Sequence, residues 1–292
     1  MSKTVCLHSV ASALMQVEKE FGLDEPPWIP SSGTQQMFLS EFYPSLRTDV
    51  PHISEIESMA ARSPEPLNQF LRSKGYGQIS LGPFENPTSI GVVSILDILS
   101  RWLEKGEKTT IRHKTTKREY PGVNLCTGLR FFAVPGYPFP IVQIGTQNRS
   151  DSVFMAVSDG PLAGFPLIGK VRELKAAMER LYGAYDRVIF PMVSIDQSED
   201  ISWILEIQAP HQSGLPLVIA QAVQQNKLKM DEFGVRIQSA TAMEGTLRGP
   251  SIPKPLIIDQ PFFFWYERAD LNLPIFVAYV TEQDWKNPGG LR

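Results

Sequence analysis

The side chains that usually carry chemistry are sparse in this chain and do not converge. Its four histidines, His8, His52, His113 and His211, show no metal-ligand spacing, and none stands beside a Gly-x-Ser-x-Gly turn. Cys6 and Cys126 are the only cysteines and lie far apart, so neither a disulfide framework nor a thiolate metal site is encoded. Gly75-Tyr76-Gly77-Gln78-Ile79-Ser80 lacks the third glycine of a dinucleotide fingerprint and follows a helix-like stretch rather than a strand. These signals assign no catalytic residue, no metal site and no cofactor. The informative chemistry is conformational, and it sits between Asp231 and Phe264.

From Val235 to Leu247 one set of alternate residues is Val235, Ile237, Ser239, Thr241, Met243, Gly245 and Leu247, all apolar or small; the other set is Arg236, Gln238, Ala240, Ala242, Glu244 and Thr246. Successive strand side chains point to opposite faces, so this segment can lie in a sheet with one face on a core and the other in water. Its far end runs into Arg248-Gly249-Pro250-Ser251-Ile252-Pro253-Lys254-Pro255, a proline-rich stretch that cannot continue a central strand. A strand pattern joined to a loop implies two alternative homes for one segment.

Four blocks in order resemble the serpin family. Asp231-Glu232-Phe233-Gly234 stands where that family has an Asn-Glu-Glu-Gly hinge, and Ala240-Thr241-Ala242 matches the end of its small-residue run. Asp259-Gln260-Pro261-Phe262-Phe263-Phe264 is similar to its Asp-Arg-Pro-Phe-Leu-Phe strand, and Val188 to Ile195 to its Val-x-Leu-Pro-Lys-Phe-x-Ile strand, followed by a helix-like Ile201 to Leu205. The family's Asn-x-x-x-Ser-Pro-x-Ser-Ile motif and Asn-Ala-x-Tyr-Phe-Lys-Gly-x-Trp strand find no counterpart by reading alone. The chain is also shorter than a complete serpin, so it resembles a diverged or trimmed member.

The resemblance implies a function. Counting the family's spacing forward from Glu232 puts the reactive bond at Arg248-Gly249, and a guanidinium suits a protease pocket floored by a carboxylate, as in trypsin-like enzymes. The bland reading of Arg248 is a solvated loop arginine. The protease serine would attack the Arg248 carbonyl, and the segment from Val235 to Leu247 would then enter the main sheet as a new strand. Glu232, Gly234, Val235, Ile237, Ser239 and Thr241 are the implied hinge residues. Phe233 and Ile237-Gln238-Ser239 replace a glutamate and small residues of the family, and a β-branched Ile237 facing inward slows insertion. The alternative is a non-inhibitory binding or interaction protein on the same scaffold. Neither reading is an enzyme.

Composition bounds the rest. With 292 residues and 42% hydrophobic side chains the chain is globular with a well-buried core, read here as a single domain over 1–292. A net charge of −3 argues against nucleic acid or acidic membranes as partners. The resemblance implies a monomer whose partner is a trypsin-like serine protease. Lys108 to Arg118 is rich in Lys and Arg, yet its threonine alternation describes a solvated hairpin better than a polyanion site. The stretch from Val5 to Met15 is too polar for a secretory segment, so the expected location is the cytoplasm, with secretion from a processed precursor left open.

The elements that must position the hinge are expected as helices first and strands later, without βαβ spacing, which predicts an α+β fold. The resemblance implies that this fold is serpin-like, with N-terminal helices on mixed sheets and an exposed reactive-centre loop. Apolar spacing predicts helices over Val5 to Phe21, Ser54 to Ala61, Glu65 to Lys74, Ile90 to Lys105 and Val171 to Tyr182. Strands are expected at Lys108 to His113, Arg130 to Val134, Ile141 to Ile144 and Val153 to Val157. A final hairpin joins Phe262 to Tyr266 with Ile275 to Val280. The aromatic run from Phe262 to Tyr266 reads as core.

Overall fold

The computed structural model describes residues 1–23, 28–77, 79–86, 88–211, 214–222, 224–236 and 254–291. The first part of the chain contains β1 (Lys3–Val5), α1 (Leu7–Phe21), α2 (Gly33–Met37), α3 (Tyr43–Asp49), β2 (Ile56–Ala61), α4 (Pro64–Ser73), β3 (Ser89–Leu96) and β4 (Ser100–Arg101). Then follow β5 (Glu107–Arg112), β6 (Glu119–Leu125), β7 (Leu129–Ala133), β8 (Ile141–Gly145), β9 (Asp151–Val157), α5 (Gly164–Ala176) and β10 (Glu179–Leu181). The last part holds β11 (Tyr185–Pro191), β12 (Val193–Glu199), β13 (Gln208–Ala209), β14 (Leu217–Ala222), β15 (Gln224–Asp231), β16 (Gly234–Arg236), β17 (Lys254–Ile257), β18 (Phe262–Arg268) and β19 (Phe276–Val280). The class is α+β.

The chain divides into two compact units. The first unit comprises Met1–Cys6, Asp97–Gln197 and Asn226–Arg292. Its seven-stranded sheet has the order β1-β19-β18-β9-β8-β7-β10, antiparallel throughout. At its centre β18 carries Phe262-Phe263-Phe264-Trp265-Tyr266, every one buried. Such a run without alternation fits a strand covered on both faces. Phe154 stacks on Trp265 at 5.1 Å between ring centroids, and α5 packs on β1 and β19. A second sheet, β17-β11-β6-β5, pairs β17 parallel to β11 and is otherwise antiparallel. A third has the order β12-β15-β16-β4 and contains the hinge.

The second unit comprises Leu7–Leu96 and Ser198–Gln225. Its sheet runs β13-β14-β3-β2, with β14 parallel to β3 and the other pairs antiparallel. One face packs on α1, where Ser12, Ser58 and Ser94 form a hydroxyl chain with links of 2.7 and 2.8 Å. The alternate residues Met59, Val93 and Ile95 turn to the other face and cluster with Leu67 and Leu71 of α4.

Three expectations need correction. Ser54 to Ala61 is not a helix: Ile56–Ala61 is strand β2, held by its ladder to β3 against the helix propensity of its alanines and methionine. Ile90 to Lys105 is not a helix either, but the strands β3 and β4. Because β3 is covered by α1 and α4, apolar residues occupy both its faces, and period alone does not separate such a strand from a helix. The β-branched Ile90, Val92, Val93 and Ile95 were the signal that favours strand. The helix expected from Val171 to Tyr182 is instead α5, which begins at Gly164 with Pro166 in its first turn and ends at Ala176; Glu179–Leu181 is the edge strand β10. The helix α1, α4, the hairpin β5–β6 and the hairpin β18–β19 lie where the spacing predicts them.

Candidate functional site

The hinge is built in the first unit by a reversal of the chain. Strand β15 ends at Asp231, Glu232 and Phe233 make the turn, and β16 runs back with Gly234 opposite Asp231, Val235 opposite Met230 and Arg236 opposite Lys229. The Asp231 Oδ1 accepts the Phe233 N–H at 2.8 Å, an Asx turn that fixes the reversal. On its other edge β16 pairs antiparallel with β4, Gly234 against Arg101 and Val235 against Ser100. The first two residues of the alternating segment, Val235 and Arg236, are therefore strand already, and Gly234 and Val235 have a neighbour on each side.

Gly234 is required by space. A Cβ there would lie 2.2 Å from the Ser100 carbonyl oxygen and 2.7 Å from the Arg101 Cα, both backbone atoms. Val235 is fully buried and Arg236 half-buried, so the alternation begins with its apolar set inward. Arg236 leaves the sheet with its Nη1 donating to the Leu291 carbonyl at 2.6 Å and its Nη2 at 3.4 Å from Asp97.

Trp102 holds the turn from below. Its indole Nε1 donates to the Asp231 carbonyl at 2.9 Å, and its backbone N–H to the Phe233 carbonyl at 3.1 Å. Gly106 donates to the Glu232 carbonyl at 2.7 Å. The Trp102 ring meets Phe190 edge-on at 5.9 Å, and the Lys105 ammonium lies 4.5 Å from the Phe233 ring centre.

Two carboxylates sit side by side in this turn. Glu232 is buried, and Lys108 of β5 reaches it with Nζ 3.2 Å from Oε1. Burial pushes the Asp231 carboxyl above the usual carboxylate range, against the N–H donors of Phe233 and Gly234 that pull it down. Beneath β4 runs a buried chain: Ser100 Oγ lies 2.6 Å from the Tyr266 hydroxyl, which donates to Asp151 Oδ2 at 2.6 Å. Since the Tyr266 proton goes to the carboxylate, Ser100 is the donor to Tyr266. Asp151 is closed off by Arg268 at 2.7 Å and Asn148 at 2.8 Å. Burial, and then the Asp151 charge, hold the Tyr266 hydroxyl far above its ordinary pKa.

Of the residues singled out in the sequence, Glu232, Gly234 and Val235 are brought together here. Ile237, Ser239, Thr241, Arg248 and Gly249 lie outside the described residues. Reading the sequence missed Trp102, Lys108, Ser100 and Tyr266, all contributed from distant positions. Trp102 had a signal: laid on Ser94 to Trp102, the family's Asn-Ala-x-Tyr-Phe-Lys-Gly-x-Trp strand keeps its terminal tryptophan. Among the described residues no group of three or more His, Cys, Asp and Glu side chains is arranged to hold a metal ion.

In the second unit the parallel pair β3–β14 is closed directly, Val218 against Ser89, Ile219 against Ile90, Gln221 against Gly91 and Ala222 against Val92, with a register shift after Ile219.

No protein-family model matches this chain, and no curated protein is similar to it in sequence. Solved structures match it in fold. A serpin from Schistosoma mansoni matches with a TM-score of 0.62 and 13% identity, over 96% of this chain and 95% of that one. The mouse protein-Z dependent protease inhibitor matches with a TM-score of 0.57 and 13% identity, over 96% and 90%. Thyroxine-binding globulin, in a complex with thyroxine, matches with a TM-score of 0.55 and 12% identity, over 96% and 92%. The chain has the serpin fold.

Proposed function

We propose that this protein inhibits a trypsin-like serine protease by offering the bond Arg248-Gly249 as bait and inserting the segment from Val235 to Leu247 after cleavage. The observation that carries the reading is β16, where Gly234 and Val235 lie antiparallel between β15 and β4, as the first rungs of an inserted strand would. The apolar set of the alternating segment faces inward from its first member, Val235. The remaining inward positions add apolar burial and backbone hydrogen bonds as insertion proceeds. One structure similar to this chain is, by its name, a protease inhibitor.

Insertion would replace the starting arrangement of the segment after cleavage, and the stability gained would hold the inserted form. The second reading is a binding protein whose segment does not insert. The thyroxine-bound globulin shows that a protein of this fold can hold a small ligand.

The two readings differ in a melting experiment. Limited cleavage after Arg248 by trypsin, followed by thermal unfolding, raises the melting temperature markedly when the loop inserts. An unchanged or lower melting temperature after complete cleavage contradicts insertion and leaves the binding-protein reading.

A further inference from the structure

A strand at the edge of a sheet presents a row of unpaired N–H and C=O groups to any extended chain, and charges, prolines or shortness usually guard it. Among the described residues every sheet edge but one is guarded. β1 is three residues long with Lys3, and β10 three residues with Glu179 and Arg180. β5 carries Glu107, Lys108 and Arg112, β17 has Lys254 and Pro255, and β12 carries Asp196 and Glu199. β4 and β13 are only two residues long. The exception is β2 of the second unit, Ile56-Glu57-Ser58-Met59-Ala60-Ala61. It has six residues, no proline, an unbroken register with β3, and one charge, Glu57, which Lys74 neutralises at 2.6 Å.

The backbone groups on the free side of β2 can be assigned. The Ile56 N–H donates to the Ile53 carbonyl at 3.2 Å, not to Leu96 opposite it in the register. In an antiparallel pair, alternate residues turn their backbone groups the same way. Ser58 and Ala60 therefore direct N–H and C=O away from β3, while Glu57, Met59 and Ala61 direct theirs into the ladder. Among the described residues neither Ser58 nor Ala60 donates its N–H to a backbone carbonyl beyond the ladder. α1 packs on one face of β2 and α4 on the other, and Ile56, Ser58, Met59 and Ala61 stay half-buried between them.

The strand is complementary to itself. A two-fold axis perpendicular to the sheet sets two β2 edges antiparallel and keeps both copies of α1 on one face, so each residue meets one that points to its own side. Ser58 and Ala60 point to the α1 side, where Ser58 meets Ser12, and Met59 and Ala61 to the α4 side. Centred on Met59, the pairing sets Met59 against Met59, Ser58 against Ala60 and Glu57 against Ala61 of the second copy. Every outward N–H of Ser58 and Ala60 then meets an outward carbonyl, and the one charge of the strand never faces itself. We propose that the protein forms a two-fold dimer through β2, which joins the four-stranded sheets of two copies into one continuous sheet. The dimer does not depend on the inhibitory reading, and it replaces the monomer that the resemblance implies.

Sedimentation velocity of the full chain from about 1 µM to about 300 µM tests this, with amide exchange measured at both ends of that range. The expected result is a mass that doubles with concentration. Peptides covering 56–61 should gain protection in step, while peptides covering the guarded edge 107–112 should not. Ser58→Pro removes an outward N–H that β3 does not use, so it should keep the fold and weaken the dimer about tenfold or more. A chain that stays monomeric throughout this range, a dimer without added protection at 56–61, or a dimer that Ser58→Pro leaves unchanged overturns the assignment. Protection of 56–61 that is already complete in the monomer also overturns it, and gives the edge to another segment of the same chain. Assemblies that keep growing beyond two copies overturn the two-fold arrangement. Should Ser58→Pro fail to fold, as circular dichroism would show, the exchange of the wild-type chain at the two concentrations decides the question.

Discussion

Replacing Gly234 by alanine tests how the hinge is held. The added Cβ would stand 2.2 Å from the Ser100 carbonyl oxygen and 2.7 Å from the Arg101 Cα. Contact distances near 3.4 Å require β16 and β4 to separate by about 1 Å, since neither neighbour is the end of a flexible side chain. Such a shift breaks the pairs Gly234–Arg101 and Val235–Ser100, which are all that joins β16 to β4. Overpacking of this kind costs about 1–3 kcal/mol. Spent on local opening, that accelerates amide exchange in the segment by about 5-fold to 150-fold. Hydrogen exchange with mass-spectrometric readout should therefore show faster exchange in peptides covering 234–236 and 100–102 of Gly234→Ala. Helix α5, packed on β1 and β19, should keep its protection. Equal exchange in the two proteins would refute the close approach of β16 to β4.

Two further predictions address the supporting chemistry. Tyr266→Phe removes the hydroxyl between Ser100 and Asp151 and leaves both buried groups short of a partner, so unfolding in urea should show a loss of about 1–3 kcal/mol; a change below about 0.3 kcal/mol would contradict the network. Asp231 has a carboxyl pKa raised by burial, so the folded state binds more protons than the unfolded state as pH rises through the unfolded value toward the folded one. Its contribution to stability is present at low pH and lost across that window. Asp231→Asn, which keeps an oxygen for the Phe233 N–H, should therefore gain stability relative to wild type on the neutral side of the window. A difference between the two proteins that does not vary with pH would contradict it.

How much of this could be read from sequence differs between the two ends of the chain. The hinge was located because Asp231, Glu232 and Gly234 fall within four residues that resemble the family's hinge, whereas the close approach of Ser100 and Arg101 that requires Gly234 comes from a distant strand. The hairpin β18–β19 was legible locally, as a buried strand pair across one short turn. The strands β2 and β3 were not, because their identity is set by partners that are distant in sequence. Ile56–Ala61 has no strand pattern of its own and becomes a strand through β3. Trp102 and Lys108 reach the turn only because β4 and β5 bring the middle of the chain to it, and no spacing near residue 231 announces them.

A denaturing gel reads directly whether the proposed segment changes place when it is cut. Incubation with trypsin should give a band of the combined mass that survives SDS, while Thr241→Arg, which puts a charge on the inward face of the segment, should be cleaved without retaining the enzyme. Complete cleavage of the wild-type chain after Arg248 with no retained protease, or equal trapping by Thr241→Arg, would contradict it.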